Sequence, residues 1–333
     1  MTSYDALLLV SFGGPEGPQD VMPFLENVTR GRNVPRERLE EVAEHYRLFG
    51  GVSPINQYCR DLKAAIEADF AAHGLDLPVY WGNRNWDPYL TDTVRRMARD
   101  GIRRAAAFVT SAYSGYSSCG QYVGDIARAR AAVPDAPRID KLRVYFNHPG
   151  FVEPFIEATR AALERVPERL RPGAHVTFTA HSVPLAQPGR ERYAAELADV
   201  SAYVAAQAAP GHDWRLVYQS RSGPPAQPWL EPDICDHLAE LRAAGREAVV
   251  VVPIGFVSDH MEVKYDLDVE AAGRAAELGL VYERAATPGT HPHYVSMVRR
   301  LLLERTAGPD APRPALGALG ARPDVCPAEC GHA

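Results

Sequence analysis

Ala248-Val249-Val250-Val251-Val252-Pro253-Ile254, running on through Gly255-Phe256-Val257-Ser258-Asp259-His260-Met261-Glu262, decides the fold class. The consecutive valines are β-branched and leave no polar face, the mark of a strand buried on both sides. From Glu262 the pattern turns helical and continues to Leu278. A buried strand leading into a helix is the unit from which parallel sheets covered on both faces are built. The same alternation recurs outward from this stretch. Strands are predicted at Ala6–Phe12, Val79–Gly82, Ala106–Ser111, Leu142–Phe146, His175–Ala180, Leu216–Gln219 and Leu280–Arg284. Helices are predicted between them, at Arg36–Phe49, Gln57–His73, Thr91–Asp100, Phe151–Val166, Glu191–Ala208 and Asp233–Ala244. The expected fold is α/β. The pattern splits near Lys141–Pro149 into two doubly wound lobes, residues 1–145 and 146–306, each with a parallel sheet flanked by helices. The Pro-, Gly- and Ala-rich tail, residues 307–333, is expected to be flexible.

Composition narrows the function classes. The chain has 333 residues, 46% hydrophobic and 23% charged, the ordinary mix of a folded soluble protein. A formal net charge of -6 argues against a nucleic-acid binder. The most apolar run, Ala248–Val257, falls well short of the roughly 20 residues that span a bilayer, so no membrane insertion is expected. Met1-Thr2-Ser3-Tyr4-Asp5 carries no basic leader segment. Five cysteines, an odd and sparse set, do not make a disulfide framework. The reducing cytoplasm is the expected compartment.

In open α/β sheets ligands bind beyond the carboxyl ends of the strands. The first strand ends on Ser11-Phe12-Gly13-Gly14-Pro15, whose adjacent glycines are not the dinucleotide fingerprint, and no phosphate-binding loop follows anywhere. His181-Ser182-Val183-Pro184 follows the strand at His175–Ala180, where a neutral imidazole can take a proton near pH 7 or ligate a metal. After the valine strand, Glu262, Asp266 and Glu270 recur at four-residue spacing and share one helix face. That line is either a solvated acidic face or a relay of hard oxygen ligands for a divalent cation, with Asp259 and His260 adding ligand types. His181 and Glu262 face each other if their strands are neighbours. Aromatic residues beside small polar ones, at His45-Tyr46, at Tyr113, Tyr116 and Tyr122, and at Tyr218 and Trp229, suit a flat conjugated ligand. Arg30 and Arg32 either pair with ligand carboxylates or are solvated.

Read together and in order, Ser11-Phe12-Gly13-Gly14-Pro15, Gly50-Gly51-Val52-Ser53-Pro54, Ala180-His181-Ser182-Val183-Pro184, Gln219-Ser220-Arg221 and Gly255-Phe256-Val257-Ser258-Asp259-His260-Met261-Glu262 resemble the ferrochelatases, specifically their actinobacterial branch. The resemblance runs from about residue 4 to about residue 305. It implies a monomeric enzyme of two Rossmann-like lobes around a porphyrin cleft, and insertion of Fe2+, as substrate, into coproporphyrin III with release of two protons. It makes His181 the active-site histidine and Glu262 its carboxylate partner. Phe12, Ser53 and Tyr122 become porphyrin contacts, Arg30, His45 and Tyr46 fall on the propionate side, and Asp266 and Glu270 extend the acidic, metal-handling line. Phe12 stands where firmicute relatives place an iron-ligating tyrosine, and a phenyl ring has no donor atom. Some relatives carry a 2Fe–2S cluster, which takes four cysteine ligands. The tail offers only Cys326 and Cys330, with His332 as a further donor type, so a cluster is not favoured. The alternatives are a protoporphyrin IX ferrochelatase, a cobalt or nickel chelatase, and a non-catalytic porphyrin or haem carrier that needs the aromatic cleft but not the acidic line.

Overall fold

The computed structural model describes residues 3–223 and 226–325. Strand β1 (Ala6–Ser11) is buried at every position. It leads through α1 (Val21–Val28), α2 (Arg36–Arg47) and α3 (Ile55–Ala72) to β2 (Val79–Asn83). Next come α4 (Leu90–Arg99), β3 (Arg104–Val109), a π turn at Tyr116–Gly120, α5 (Gln121–Ala131) and β4 (Arg138–Lys141). These strands form a parallel four-stranded sheet in the order β2-β1-β3-β4. The fully buried β1 therefore sits inside the sheet and the polar β4 at its edge, as two-sided burial requires.

The second lobe repeats the plan. After α6 (Pro149–Arg165) come β5 (His175–His181), α7 (Arg190–Ala208), β6 (Trp214–Gln219), α8 (Ile234–Ala243) and β7 (Ala248–Val252). The chain ends with α9 (Met261–Tyr265), a π turn at Asp266–Ala271, α10 (Ala272–Leu278), β8 (Val281–Arg284) and α11 (Pro292–Ala307). The sheet is parallel, in the order β6-β5-β7-β8. The valine strand β7 is fully buried, pairs with β5 and pins the lobe. One hydrophobic core runs through both lobes, from Leu7 and Leu9 of β1 through Phe146 and Phe151 to Val250 and Val252 of β7. Among the described residues no helix is long and apolar enough to cross a membrane.

Three expectations are corrected. Leu142–Phe146 is not a strand: the edge strand is β4, just before it. Leu142, Val144, Tyr145 and Phe146 spend their apolar side chains in the core between the lobes, where the Tyr145 hydroxyl donates to the Val109 carbonyl at 2.8 Å. The helix predicted from Glu262 to Leu278 is interrupted by the π turn. Helices α1, α5 and α11 lie where no helix was expected. In the structure the Leu316 N–H donates to the Asn147 carbonyl at 2.8 Å, and Asp324 pairs with Arg305 of α11 at 3.8 Å.

Candidate active site

Residues following β1, β2, β3, β5 and β7 converge on one cavity of about 560 Å³, within the usual range for small-molecule sites. The two lobes meet across it. The Tyr113 hydroxyl, from the segment after β3, donates to the Ile254 carbonyl at the end of β7 at 2.8 Å. Gly255 lets the β7 end close on β5, since a Cβ there would stand 2.7 Å from the Ala180 Cβ. Any larger residue would wedge apart the chain segments that carry His181 and Glu262.

His181 is the last residue of β5. Its Nδ1–H donates to the Ser182 carbonyl, which leaves Nε2 facing the Glu262 carboxylate at 3.6 Å. The Tyr193 hydroxyl of α7 donates to the His181 carbonyl at 3.0 Å and fixes the backbone behind the ring. Glu262 lies in the first turn of α9, where His260 caps the helix by accepting from the Glu262 N–H at 3.2 Å. The Gln219 side chain donates to the Glu262 carbonyl at 3.0 Å. Burial pulls the His181 pKa down, but the facing carboxylate outweighs it and leaves the imidazole at about 9. The same contact acts in reverse on Glu262. Burial raises its pKa, yet the imidazole opposite holds it at about 2.

The acidic line continues away from the wall. Because Asp266 opens a π turn, Glu262, Asp266 and Glu270 do not lie on one regular helix face. Asp266 accepts from the Ser220 hydroxyl, while Ser220 itself holds a left-handed backbone at φ 59°. Burial pushes the Asp266 carboxyl up, Ser220 opposes this, and the Glu262 and Glu270 charges add to it, leaving about 7. Glu270 is also raised, by burial and then by Asp233. Asp259 is taken up by Arg284 at 2.8 Å and by Thr287 at 3.0 Å. Among the described residues no three His, Cys, Asp or Glu side chains gather closely enough to hold a metal ion.

The first lobe supplies a different wall. Phe12, Tyr46, Ser53 and Tyr122 all line the cavity. Gly14 gives Ser53 its place, because a Cβ at Gly14 would come within 2.6 Å of the Ser53 Cβ. Arg84, which the sequence reading missed, lies 4.7 Å from the Tyr122 ring centre and 5.7 Å from that of Phe12, held by an ion pair to Asp125. Its signal was available, since it follows the carboxyl end of β2. Tyr193, in the middle of a helical pattern, carried no such signal.

Six candidates lie off the cavity wall: Arg30, His45, Tyr218, Asp259, Asp266 and Glu270. Arg30 is exposed, and Arg32 lines the cavity in its place. His45 stacks on Tyr265 at 3.6 Å between ring centres and 9° between planes, bridging α2 and α9. The described cysteines, Cys59, Cys119 and Cys235, sit on separate elements. Burial pushes the Cys59 and Cys235 thiols up to about 12. Cys326, Cys330 and His332 lie outside the described residues.

Comparison with known proteins gives concordant matches. The sequence model of the family described as "Ferrochelatase" matches residues 4–306. A coproporphyrin III ferrochelatase of Streptomyces griseus is 56% identical over 98% of this chain and 93% of its own length. One from Mycolicibacterium smegmatis is 56% identical over 95% of this chain and 96% of its own. A ferrochelatase of Rhodopirellula baltica is 53% identical over 98% and 93%. Among solved structures, the sirohydrochlorin chelatase SirB from Bacillus subtilis in complex with cobalt superposes with a TM-score of 0.55 at 14% identity, covering 92% of this chain and 97% of that one. That likeness concerns the fold alone.

Proposed function

The chain belongs to the ferrochelatase family, and from that premise we propose that it inserts Fe2+ into coproporphyrin III, releasing two protons. The observation that carries this reading is the His181–Glu262 pair, 3.6 Å apart, on a cavity whose opposite wall is aromatic. Free-base porphyrin is flat and rigid. Its inner nitrogens must lose two N–H protons, while the ion sheds water and enters from one face. Tyr122, Phe12 and Tyr46 offer ring faces for the macrocycle, and Arg84 adds positive charge beside them. Arg32, on the cavity wall, suits a propionate carboxylate.

On the second lobe, His181 presents Nε2 to the slot because its Nδ1–H is committed to Ser182. At about 9 His181 carries its own proton near neutrality, so it must pass that proton on before it accepts one from a pyrrole, and again before the second arrives. Glu262 is the immediate partner, and Asp266, at about 7, exchanges protons readily near neutrality. The acidic line thus serves as the exit for protons or the approach for the ion. Phe12 supplies apolar contact only, since a phenyl ring has no donor atom to offer a metal.

The test is anaerobic Fe2+ insertion with coproporphyrin III and protoporphyrin IX side by side. Faster turnover of coproporphyrin III is the expected result. A clear preference for protoporphyrin IX overturns the substrate assignment, and porphyrin binding without insertion of iron turns the reading to a carrier. The actinobacterial relatives named for coproporphyrin III support the first outcome.

A further inference from the structure

The C-terminal segment reaches the back of the active site. Beyond α11 it docks at separate points on the body. The Asn147 side chain donates to the Gly320 carbonyl at 2.7 Å, and Asp199 of α7 accepts from the Ala318 N–H at 2.8 Å. One turn before Asp199, Glu196 is fully buried. The Arg322 Nε–H donates to its Oε1 at 2.8 Å. The same carboxylate accepts from the Ser114 N–H at 2.7 Å and from the Ser114 hydroxyl at 2.6 Å. Ser114 opens the segment whose next residues, Tyr116, Ser117 and Ser118, line the cavity through a π turn. Gly115, at φ 120°, starts that turn. The helix bearing Glu196 also bears Tyr193, which holds the His181 backbone.

A carboxylate without solvent needs compensation, and here it comes from two Ser114 donors and one guanidinium. Burial raises the Glu196 pKa even so, with Ser114 and then Arg322 opposing. Removing Arg322 strands the charge, and the carboxyl then takes up a proton or draws in water. Either response alters its contacts with Ser114 and so moves the cavity wall.

We propose that the C-terminal segment is a strap and that Arg322, acting through Glu196 and Ser114, is a positioning residue for the cavity wall at Ser114–Gly120. The ligand consequence rests on the porphyrin reading above; the wall consequence does not.

The experiment uses the full chain and compares Arg322→Ala, Arg322→Lys, Glu196→Gln and the double variant Glu196→Gln/Arg322→Ala. Two quantities are read: hydrogen exchange of the amides over residues 114–120, and KM against kcat for coproporphyrin III. In Arg322→Ala, exchange over 114–120 rises about tenfold while β7 is unchanged. KM for the porphyrin rises about tenfold with kcat within about threefold. Arg322→Lys restores most of both. The double variant stays within about twofold of Glu196→Gln, because no charge is left stranded. Unchanged exchange over 114–120 in Arg322→Ala overturns the strap, whatever the ligand. Raised exchange with an unchanged KM overturns its role at the cleft. Should Arg322→Ala fail to fold, the comparison of the double variant with Glu196→Gln decides alone, and a difference of about tenfold between those two overturns the route through Glu196.

Discussion

The two lobes share a strand order and differ in what stands at their strand ends. The first ends its strands on rings and a guanidinium: Phe12 after β1, Arg84 after β2, then Tyr113 and Tyr122 beyond β3. The second ends β5 and β7 on an imidazole and a carboxylate that perturb each other. One sheet therefore presents groups whose charge is fixed near neutral pH, and the other presents groups that move protons. The architecture alone does not assign these tasks. They follow from the few residues beyond each strand, which is why a sirohydrochlorin chelatase can share the fold at 14% identity.

Variants can break that division of labour or sharpen it. The largest effect is expected from His181→Ala, which lowers iron insertion by about 10³-fold, the scale of a lost general base, while porphyrin binding followed by fluorescence stays within a few-fold. A parallel collapse of binding would place His181 in holding rather than chemistry. Glu262→Gln comes next. Without the carboxylate opposite, the His181 midpoint falls from about 9 toward the ordinary 6.5, a change that NMR titration of the imidazole reads directly. The same pair sets a stability window. The raised histidine contributes fully below its unfolded value of 6.5 and loses that contribution as pH climbs through about 9. The depressed Glu262 contributes fully above 4.5 and loses it as pH falls through about 2. Denaturation midpoints of the parent and Glu262→Gln should therefore differ most between pH 4.5 and 6.5 and converge toward pH 9.

Arg84→Ala probes the other wall. KM for the porphyrin should rise about tenfold, the worth of a desolvated cation beside aromatic rings, with kcat nearly unchanged. A fall in kcat to rival that of His181→Ala would dissolve the contrast between the lobes. The smallest effect is expected from His45→Ala, which removes the stacked contact between α2 and Tyr265. Thermal unfolding should report a loss of about 1 kcal/mol, with insertion activity hardly altered.

The sequence made much of this visible, for identifiable reasons. β1 and β7 are buried on both faces, so their composition leaves no doubt about where they lie. His181 and Glu262 followed from the rule that ligands sit beyond strand ends, once β5 and β7 proved to be neighbours. Edge strand β4 was hidden because Arg-Ile-Asp-Lys pairs through its backbone and buries only Ile139 well. The apolar run after it looked more like a strand and serves the junction between lobes instead. The π turn at Asp266–Ala271 could not be read from four-residue spacing, which an α-helix satisfies equally. Arg322 was illegible for another reason: a Pro- and Gly-rich tail suggests looseness, and nothing local says that one of its arginines meets a buried carboxylate on α7.

The aromatic packing between the lobes has a mechanical consequence. Tyr145, Phe146, Phe151 and Tyr294 pack against one another, with Tyr113 of the cavity wall set on Phe146 and Phe151, and the core they belong to is shared by both sheets. Swinging one sheet against the other would break those ring contacts, so the aromatic packing acts as a weld that keeps the two rows of strand ends in register.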